Sequence, residues 1–339
     1  MHAFAAFSPG LENCRYAELP GPATLQGQTV VKLEASALNH LDLWIARGHP
    51  SYSVQYPHVL GSDGAGTLET DLPHRGLKKG DRVVILPLLF CGQCDACLRG
   101  LVGSCDKTGT IGVQPWGTHA EFTAVPEQNV FPIRRLSFEH AASLPVGALT
   151  AMHMLRRAEA KTGQTVLVWG ASSSVGSYGI QIAKHVGAQV ITTASGDKVE
   201  RAAKVFGPDV AVIDYKKEDV GKRVKELTGG KGADAVMEIV GPATWKASME
   251  SVRKGGCIVT CGAVSGGEVT VPLRWLYSNQ VRFIGSKQGT PDEFRQVLEW
   301  AEADIIRPVI ESRYALHDAK TAFEQLDRGE AFGKIVLTR

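Results

Sequence analysis

The fold of this chain is decided by the segment TVLVWGASSSVGSYGIQIAKHVG, residues 165–187. Five β-forming residues, Thr165 to Trp169, open the segment, and after a turn rich in serine and glycine its apolar residues recur at helical spacing. Such a strand, turn and helix can direct N–H groups and the positive end of the helix dipole at a pyrophosphate. The turn departs from the G-x-G-x-x-G fingerprint, because Ala171 and Ser173 replace its first two glycines and only Gly176 remains. An ordinary buried strand–helix turn is therefore the alternative.

Strands and helices alternate along the chain after residue 137. We predict strands at Val166–Trp169, Gln189–Thr193, Ala211–Ile213, Ala235–Ile239 and Cys257–Thr260, and helices at Lys198–Val205, Val220–Leu227 and Pro242–Arg253. Repeated units of this kind form a parallel sheet with helices on both faces, so an α/β Rossmann doubly wound domain is predicted. A ligand would bind at the carboxyl ends of its strands.

The chain before residue 130 consists of short β runs interrupted by glycine and proline, which predicts a barrel-like or sandwich-like β domain. After Gly285 come two helix patterns, Asp292–Ala303 and Leu316–Arg328, and a last strand, Gly333–Leu337. In the simplest topology this tail returns to the first domain. We therefore predict a cofactor domain, residues 131–284, inserted into a mainly β domain formed by residues 1–130 and 285–339.

Charge and hydropathy exclude two classes of partner. The sequence contains 37 basic and 35 acidic side chains, so no long-range field attracts nucleic acid or an anionic membrane. The longest apolar run, Val83–Phe90, contains Pro87 and is too short to cross a bilayer. The N-terminus, with Pro9 and Gly10 near its start, does not have the pattern of a signal peptide. We expect a cytoplasmic protein with neither nucleic-acid nor membrane partners.

Four of the seven cysteines, Cys91, Cys94, Cys97 and Cys105, follow the spacing C-x2-C-x2-C-x7-C. Four thiolates close a tetrahedral zinc shell and leave no position for water or substrate. The pattern therefore predicts one structural Zn²⁺ that takes no part in catalysis. Four free thiols in one loop are the alternative.

Together these features resemble the medium-chain dehydrogenase/reductase superfamily, which includes zinc alcohol dehydrogenases and quinone or enoyl reductases. The resemblance covers essentially the whole chain and is carried by Val59–Gly66, the residues 80–83, the cysteine lobe, the residues 149–151 and the nucleotide turn. It implies that the mainly β domain is GroES-like and carries a zinc lobe at residues 91–105.

In zinc-dependent members of the superfamily a catalytic ion is held by a cysteine, a His-Glu pair and a second cysteine. The matching positions here are Asn39, Ser62 with Asp63, and Val146, so only Asp63 retains a ligand type. A catalytic zinc needs about three protein ligands and an open fourth position. A site rebuilt from His40, His49 and His58 is the alternative, although their spacing matches no compact ligand motif.

The segment from Asn39 to Asp42 resembles the N-x-x-D pattern of zinc-free quinone and enone reductases. On that resemblance we predict hydride transfer from NADPH to an activated C=C bond of a quinone, enone or enoyl thioester. The candidate catalytic residues are Asn39, Asp42 and Asp63, with Asn39 as donor to the substrate oxygen or, alternatively, as a loop-capping residue. The two competing functions are a zinc-type alcohol dehydrogenase and a non-catalytic NADP-binding sensor or structural protein.

NADP(H) is expected in preference to NAD(H). The second strand of the nucleotide domain ends near Thr193, and no carboxylate that would repel a 2'-phosphate precedes Asp197. Lys198 is either a phosphate contact or a solvated lysine of the first helical turn. On the resemblance, the candidate cofactor-binding residues are Thr150, Gly170, Ser172, Ser173, Ser174, Val175, Gly176, Thr193, Ser195, Lys198, Tyr215, Gly262, Ala263, Val264 and Lys334.

The segment Val281–Ile284 matches an edge strand that relatives commonly pair between subunits. Because an apolar strand with open hydrogen-bonding groups favours pairing, we expect a homodimer or homotetramer. A loop that covers this strand is the alternative. The other expected partner is a small carbonyl or quinone substrate.

Overall fold

The computed structural model describes residues 1–339, which divide into two compact units. One unit comprises Met1–Leu149 and Gly289–Arg339, and the other comprises Thr150–Gln288. The second unit is thus inserted in the sequence of the first. None of the helices is long and apolar enough to span a lipid bilayer.

The elements are numbered in chain order. The strands are β1 (His2–Ala6), β2 (Cys14–Glu18), β3 (Gln28–Ala37), β4 (His58–Val59), β5 (Asp63–Leu68), β6 (Arg82–Ile85), β7 (Leu88–Leu89), β8 (Gly109–Thr110), β9 (Phe122–Pro126), β10 (Val130–Pro132), β11 (Thr165–Val168), β12 (Gln189–Ala194), β13 (Val210–Asp214), β14 (Ala233–Glu238), β15 (Val252–Thr260), β16 (Arg282–Gly285), β17 (Ile310–Ala315) and β18 (Lys334–Thr338). The α-helices are α1 (His40–Ala46), α2 (Asp95–Leu98), α3 (Phe138–Ala142), α4 (Pro145–Arg157), α5 (Ser174–His185), α6 (Asp197–Phe206), α7 (Val220–Leu227), α8 (Pro242–Ser251), α9 (Leu273–Asn279), α10 (Pro291–Glu302) and α11 (Ala319–Asp327).

The first unit is mainly β. Its largest sheet has the order β10-β6-β5-β3-β18-β17, with β9 also paired to β3, and a three-stranded sheet has the order β2-β1-β4. The last strand, β18, runs antiparallel to β3, with Val336 opposite Ala37, and β3 in turn pairs with β5, with Ala37 opposite Asp63. This register brings Lys334, at the start of β18, beyond the end of β3 and toward Asn39.

The second unit contains a six-stranded, all-parallel sheet of order β13-β12-β11-β14-β15-β16. Its central strand β11 is buried along its whole length, as expected when helices cover both faces of a parallel sheet. The strand order reverses between β11 and β14, and such a switch point opens a crevice at the carboxyl ends of the strands. The predicted fold class, a doubly wound α/β domain with a mainly β, GroES-like domain, is confirmed.

Several element boundaries differ from the predicted ones. The predicted helix Pro242–Arg253 ends at Ser251, because the chain enters β15 at Val252. The elements that the sequence did not predict include helix α9, none of whose residues is buried, and β17, whose half-exposed residues give no clear apolar alternation. Both lack the contrast between buried and exposed faces from which an element is recognised in a sequence.

Candidate active site and metal centre

The four cysteine sulfurs of the first unit lie within 4.8 Å of one another. The Sγ atom of Cys91 is 3.6 Å from that of Cys105 and 3.9 Å from that of Cys97. Zinc–sulfur bonds of about 2.3 Å in a tetrahedron place sulfur atoms about 3.8 Å apart. The cluster therefore has the size of a Cys₄ zinc shell, and the prediction of a structural zinc site is confirmed.

Backbone N–H groups prepare these thiols for metal binding. The N–H of Cys94 donates to Cys91 Sγ, and the N–H groups of Cys91 and Lys107 donate to Cys105 Sγ, each at 3.3 Å. Hydrogen bonds from the backbone at Gln93 and then Cys94 lower the pKa of Cys91 to about 6. Because the thiolate is the form that binds metal, these hydrogen bonds favour the metal-binding form of Cys91, whereas desolvation raises the pKa of Cys97 to about 12.

Asp63 is the centre of a second polar cluster in the same unit. Its side chain is fully buried. Its Oδ1 atom accepts the N–H of Val146 at 2.9 Å, and its Oδ2 atom accepts Nδ2 of Asn39 at 3.0 Å. The backbone N–H of Asn39, at the N-terminus of α1, donates to Asp42 Oδ2 at 2.8 Å. The three candidate catalytic residues, Asn39, Asp42 and Asp63, are therefore brought together, with Asp42 acting as a local acceptor.

Lys334 completes this cluster and was not predicted to belong to it. Its Nζ atom donates to Asp63 Oδ2 at 2.8 Å, to Asn39 Oδ1 at 2.9 Å and to the carbonyl of Leu38 at 2.8 Å. A lysine ammonium has three N–H donors, so all of them are used within the unit. The side chains of Lys334 and Asp63 are 1% and 0% exposed. The sequence carries no signal for this pairing, because 271 residues separate the partners.

The residues that match the superfamily's catalytic-zinc positions do not fit such an ion. Val146 contributes a backbone donor rather than a ligand, and the Asn39 and Asp63 acceptors are occupied by the Lys334 ammonium. The hydroxyl of Ser62 is buried and has no hydrogen-bond partner. It offers a hard oxygen, whereas zinc prefers nitrogen or sulfur ligands in proteins.

The three histidines considered as replacement ligands lie in separate surroundings. His58 Nε2 is 3.0 Å from the carbonyl of Gly112, and His49 lies between Trp44 and Tyr52, with ring centroids 6.2 and 5.8 Å away. The four cysteines are the one group of metal-binding side chains close enough to share an ion. The structure gives no support to a zinc site rebuilt from His40, His49 and His58.

The nucleotide turn of the second unit joins β11 to α5. Ser173 caps the helix: its Oγ atom accepts the N–H of Gly176 at 2.9 Å and donates to the carbonyl of Gly170 at 2.8 Å. A Cβ atom at Gly176 would lie 2.1 Å from that carbonyl oxygen, so only glycine fits there. The Oγ atom of Ser174 is buried and has no partner. The first helical N–H groups also lack acceptors within the helix, so donors collect at this end of α5.

The other predicted cofactor residues of the second unit lie at or just after carboxyl ends of its strands, apart from Thr150 in α4 and Lys198 in the first turn of α6. Thr193, near the end of β12, accepts the N–H of Gly170 at 3.1 Å, which ties that strand to the nucleotide turn. The hydroxyls of Ser195 and Tyr215 are 3.1 Å apart. Gly262, Ala263 and Val264 follow β15 directly.

Sequence reasoning also missed Glu238, a buried carboxylate at the end of β14. Its Oε1 atom accepts the N–H groups of Val240 and Gly241 and the hydroxyl of Thr244, and its Oε2 atom accepts the hydroxyl of Ser248. Glu238 thereby orders the loop that follows β14. The available signal was a glutamate at the end of an otherwise apolar strand.

Comparison with known proteins covers the whole chain. Residues 25–135 match the family model of the alcohol dehydrogenase GroES-like domain, and residues 174–303 match that of the zinc-binding dehydrogenase. An alcohol dehydrogenase of Geobacillus stearothermophilus is 31% identical over 324 residues, 94% of each chain. A NAD-dependent alcohol dehydrogenase of Sulfurisphaera tokodaii is 30% identical over 94% of this chain and 95% of its own.

Solved structures agree with these relatives. The crystal structure of a NAD-dependent alcohol dehydrogenase superposes with a TM-score of 0.93, at 36% identity and with full coverage of both chains. The cobalt- and zinc-bound thermostable alcohol dehydrogenase of Pyrobaculum aerophilum gives a TM-score of 0.90 at 34% identity, covering 100% of this chain and 99% of that one.

These comparisons overturn the prediction of an NADPH-dependent quinone or enone reductase, because the relatives are named alcohol dehydrogenases. The alternative of an alcohol dehydrogenase is the better supported one. The N-x-x-D pattern has a structural explanation: Asp42 accepts the backbone N–H of Asn39, so the pattern marks the start of a helix and does not identify a substrate. The relatives whose names state a cofactor are called NAD-dependent, so they do not support the predicted preference for NADP(H).

We predict that the Cys94→Ser/Cys97→Ser variant loses one equivalent of zinc per chain, because two oxygens replace two of four thiolates. Zinc content after gel filtration, measured by mass spectrometry, checks this. The Cys261→Ser variant is the matched control, since Cys261 lies outside the cluster, and it should keep the metal. An unchanged zinc content in the double variant would contradict the assignment.

Proposed function

This chain belongs to the zinc-type alcohol dehydrogenase-like branch of the medium-chain dehydrogenase/reductase superfamily, a family of NAD(P)-dependent oxidoreductases, and we propose that it oxidises a small alcohol or reduces the corresponding carbonyl. The nicotinamide, when bound, would accept or donate the hydride of the carbinol carbon, and the hydroxyl proton would be exchanged with solvent. The observation that carries the proposal is the similarity to alcohol dehydrogenases over 94% of both chains.

The second unit binds the dinucleotide in this proposal. The N-terminus of α5 would donate hydrogen bonds to the pyrophosphate, and the buried Ser174 hydroxyl, which has no partner, would add a further donor. Gly170, Ser172, Val175 and Gly176 shape the same turn, while Thr150, Thr193, Gly262, Ala263 and Val264 contact the rest of the cofactor. Support comes from the strand order, which opens a crevice at the carboxyl ends where most of these residues lie.

The first unit binds the substrate, with Asn39 as the donor to its oxygen. One Nδ2–H of Asn39 is engaged by Asp63, and its Oδ1 is engaged by Lys334, so the orientation of the amide is fixed and its second N–H is available. A preorganised neutral donor stabilises negative charge that develops on an oxygen in the transition state. Trp44 and Tyr52 both pack against His49 and are candidates for an apolar wall of the substrate pocket.

We predict that the protein reduces NAD⁺ or NADP⁺ with primary or secondary alcohols and oxidises the reduced cofactor with the matching aldehydes and ketones. Absorbance at the reduced nicotinamide band measures both directions. The best alcohol or carbonyl should exceed quinones and enones in kcat/KM by at least about tenfold, which is about 1.4 kcal/mol of transition-state binding.

The Asn39→Ala variant should lose roughly 10²-fold in kcat, the cost typical of removing one oxyanion donor. Turnover confined to quinones or enones would contradict the proposed substrate class. Tight dinucleotide binding without turnover of any acceptor would instead indicate a non-catalytic nucleotide-binding protein.

The proposed cofactor preference is NADP(H), although relatives are named NAD-dependent. Electrostatics favours NADP(H): no carboxylate lies between Thr193 and Asp197, the hydroxyls of Ser195 and Tyr215 are 3.1 Å apart, and the basic residue Lys198 follows Ser195 closely in the sequence. Hydroxyl and ammonium donors suit a 2'-phosphate, while a carboxylate would suit the free ribose hydroxyls.

We predict that Ser195→Asp lowers the ratio of kcat/KM for NADPH to that for NADH by roughly tenfold or more, because a carboxylate repels the 2'-phosphate. Lys198→Ala should lower the same ratio. Lys204→Ala is the matched control, since Lys204 is an exposed lysine near the other end of α6. A wild-type protein that uses NADH better than NADPH would refute the preference.

We also predict a homodimer or homotetramer assembled through β16. This strand forms one edge of the sheet, and the preceding helix α9 exposes Leu273 and Tyr277 by 73% and 68%. Analytical ultracentrifugation should give a mass above the monomer, and Leu273→Glu/Tyr277→Glu should lower it. Leu98→Glu, at an exposed leucine of the zinc lobe, should not. A monomeric wild-type protein would rule this interface out.

A further inference from the structure

The cluster around Asp63 is a cradle of oxygen acceptors in the interior of the first unit. The Oδ2 atom of Asp63, the Oδ1 atom of Asn39 and the carbonyl of Leu38 all lie 2.8–2.9 Å from a single point, the Nζ atom of Lys334. A carboxylate with two neutral carbonyl-type oxygens is an arrangement that binds a cation. The cation at its centre is the ammonium group of Lys334.

We infer that the Lys334 ammonium is a built-in cation at the position where the superfamily's catalytic ion would have to bind, and that it positions Asn39 and Asp63 in place of a metal. Lys334 donates one N–H to each of the three acceptors, so the cradle is saturated. Its charge compensates that of Asp63, which would otherwise be a buried, unpaired carboxylate.

The same geometry argues against Lys334 as a contact to the cofactor phosphates. The residue is 1% exposed, and none of its N–H groups is left for another acceptor. A phosphate could recruit Lys334 only if the ion pair with Asp63 were broken inside the unit. Lys334 therefore acts through Asn39 and Asp63 and is a positioning residue rather than a catalytic one.

A divalent ion would have to displace the ammonium, and its ligands would then be hard oxygens from Asp63, Asn39 and Leu38. Zinc favours imidazole and thiolate ligands in proteins, and the four cysteines are the one group of three or more potential ligand side chains close enough to share an ion. The inference therefore assigns one metal ion to each chain, bound by the four cysteines. It does not depend on the proposed substrate, because metal content and thermal stability are measured without turnover.

The first experiment uses the wild-type protein. After incubation with excess Zn²⁺ and removal of free metal, we expect one equivalent per chain, and none in the Cys94→Ser/Cys97→Ser variant. A second equivalent in the wild type that persists in the cysteine variant would overturn the inference. If the protein binds one zinc per chain as expected but does not turn over alcohols, only the proposed function is contradicted.

The second experiment empties the cradle with Lys334→Ala and refills it with methylammonium, which has the N–H donors of the lysine head group. We expect a lower melting temperature than the wild type and a rise of about 2 °C or more on adding methylammonium. Tetramethylammonium has no N–H donor and should have no effect. A variant that merely lost packing would not distinguish the two amines, and an equal response to both would contradict the inference.

If Lys334→Ala does not fold, a pair of variants keeps the inference testable. Lys334→Met leaves Asp63 unpaired, whereas Lys334→Met/Asp63→Asn removes both charges and should melt at a higher temperature than the single variant. Lys79→Met is the matched control, because Lys79 pairs with Glu69 at the surface, and it should change the melting temperature little. A double variant no more stable than Lys334→Met would contradict the pairing.

Discussion

A buried ion pair between Lys334 and Asp63 is the constraint around which the first unit is arranged. Neither side chain is exposed by more than 1%, so the loss of hydration of both charges must be offset inside the protein. The offset is complete: the ammonium has three acceptors, and the carboxylate accepts from Lys334, Asn39 and Val146. The starts of the last strand, of α1 and of α4 are thereby held to one carboxylate.

The zinc lobe and this cluster show two ways in which one domain holds positive charge. The lobe uses four thiolates, which are soft ligands and select zinc, and backbone N–H groups that lower the pKa of Cys91 to about 6. The Asp63 cluster uses hard oxygens and a lysine. Because the donor types differ, a single domain can bind a metal for its structure and keep the superfamily's other metal position without one.

How much of this could be predicted from the sequence depends on how far apart the interacting residues lie. The four cysteines fall within fifteen residues, and the nucleotide turn within seven, so spacing alone predicts both the zinc site and the strand–turn–helix unit. The alternation of strands and helices likewise predicts the doubly wound sheet. Lys334 and Asp63 meet only because β18 pairs with β3 and β3 with β5, a register that no local pattern encodes.

The substrate class was the other property that the sequence alone did not predict correctly. The spacing of Asn39 and Asp42 predicts enone reduction, yet it is accounted for by a helix start in which Asp42 accepts the backbone N–H of Asn39. The missing metal ligands were visible in the sequence, but the residue that takes the place of the ion was not. An absent ligand does not reveal which group compensates the remaining carboxylate.

Anomalous diffraction at the zinc edge, from crystals of the wild-type protein soaked in excess Zn²⁺, tests the central claim most directly. We expect one anomalous peak per chain, among the four cysteine sulfurs, with the Lys334 ammonium in hydrogen-bonding distance of Asp63. A second peak beside Asp63, with Lys334 turned away from it, would contradict the account.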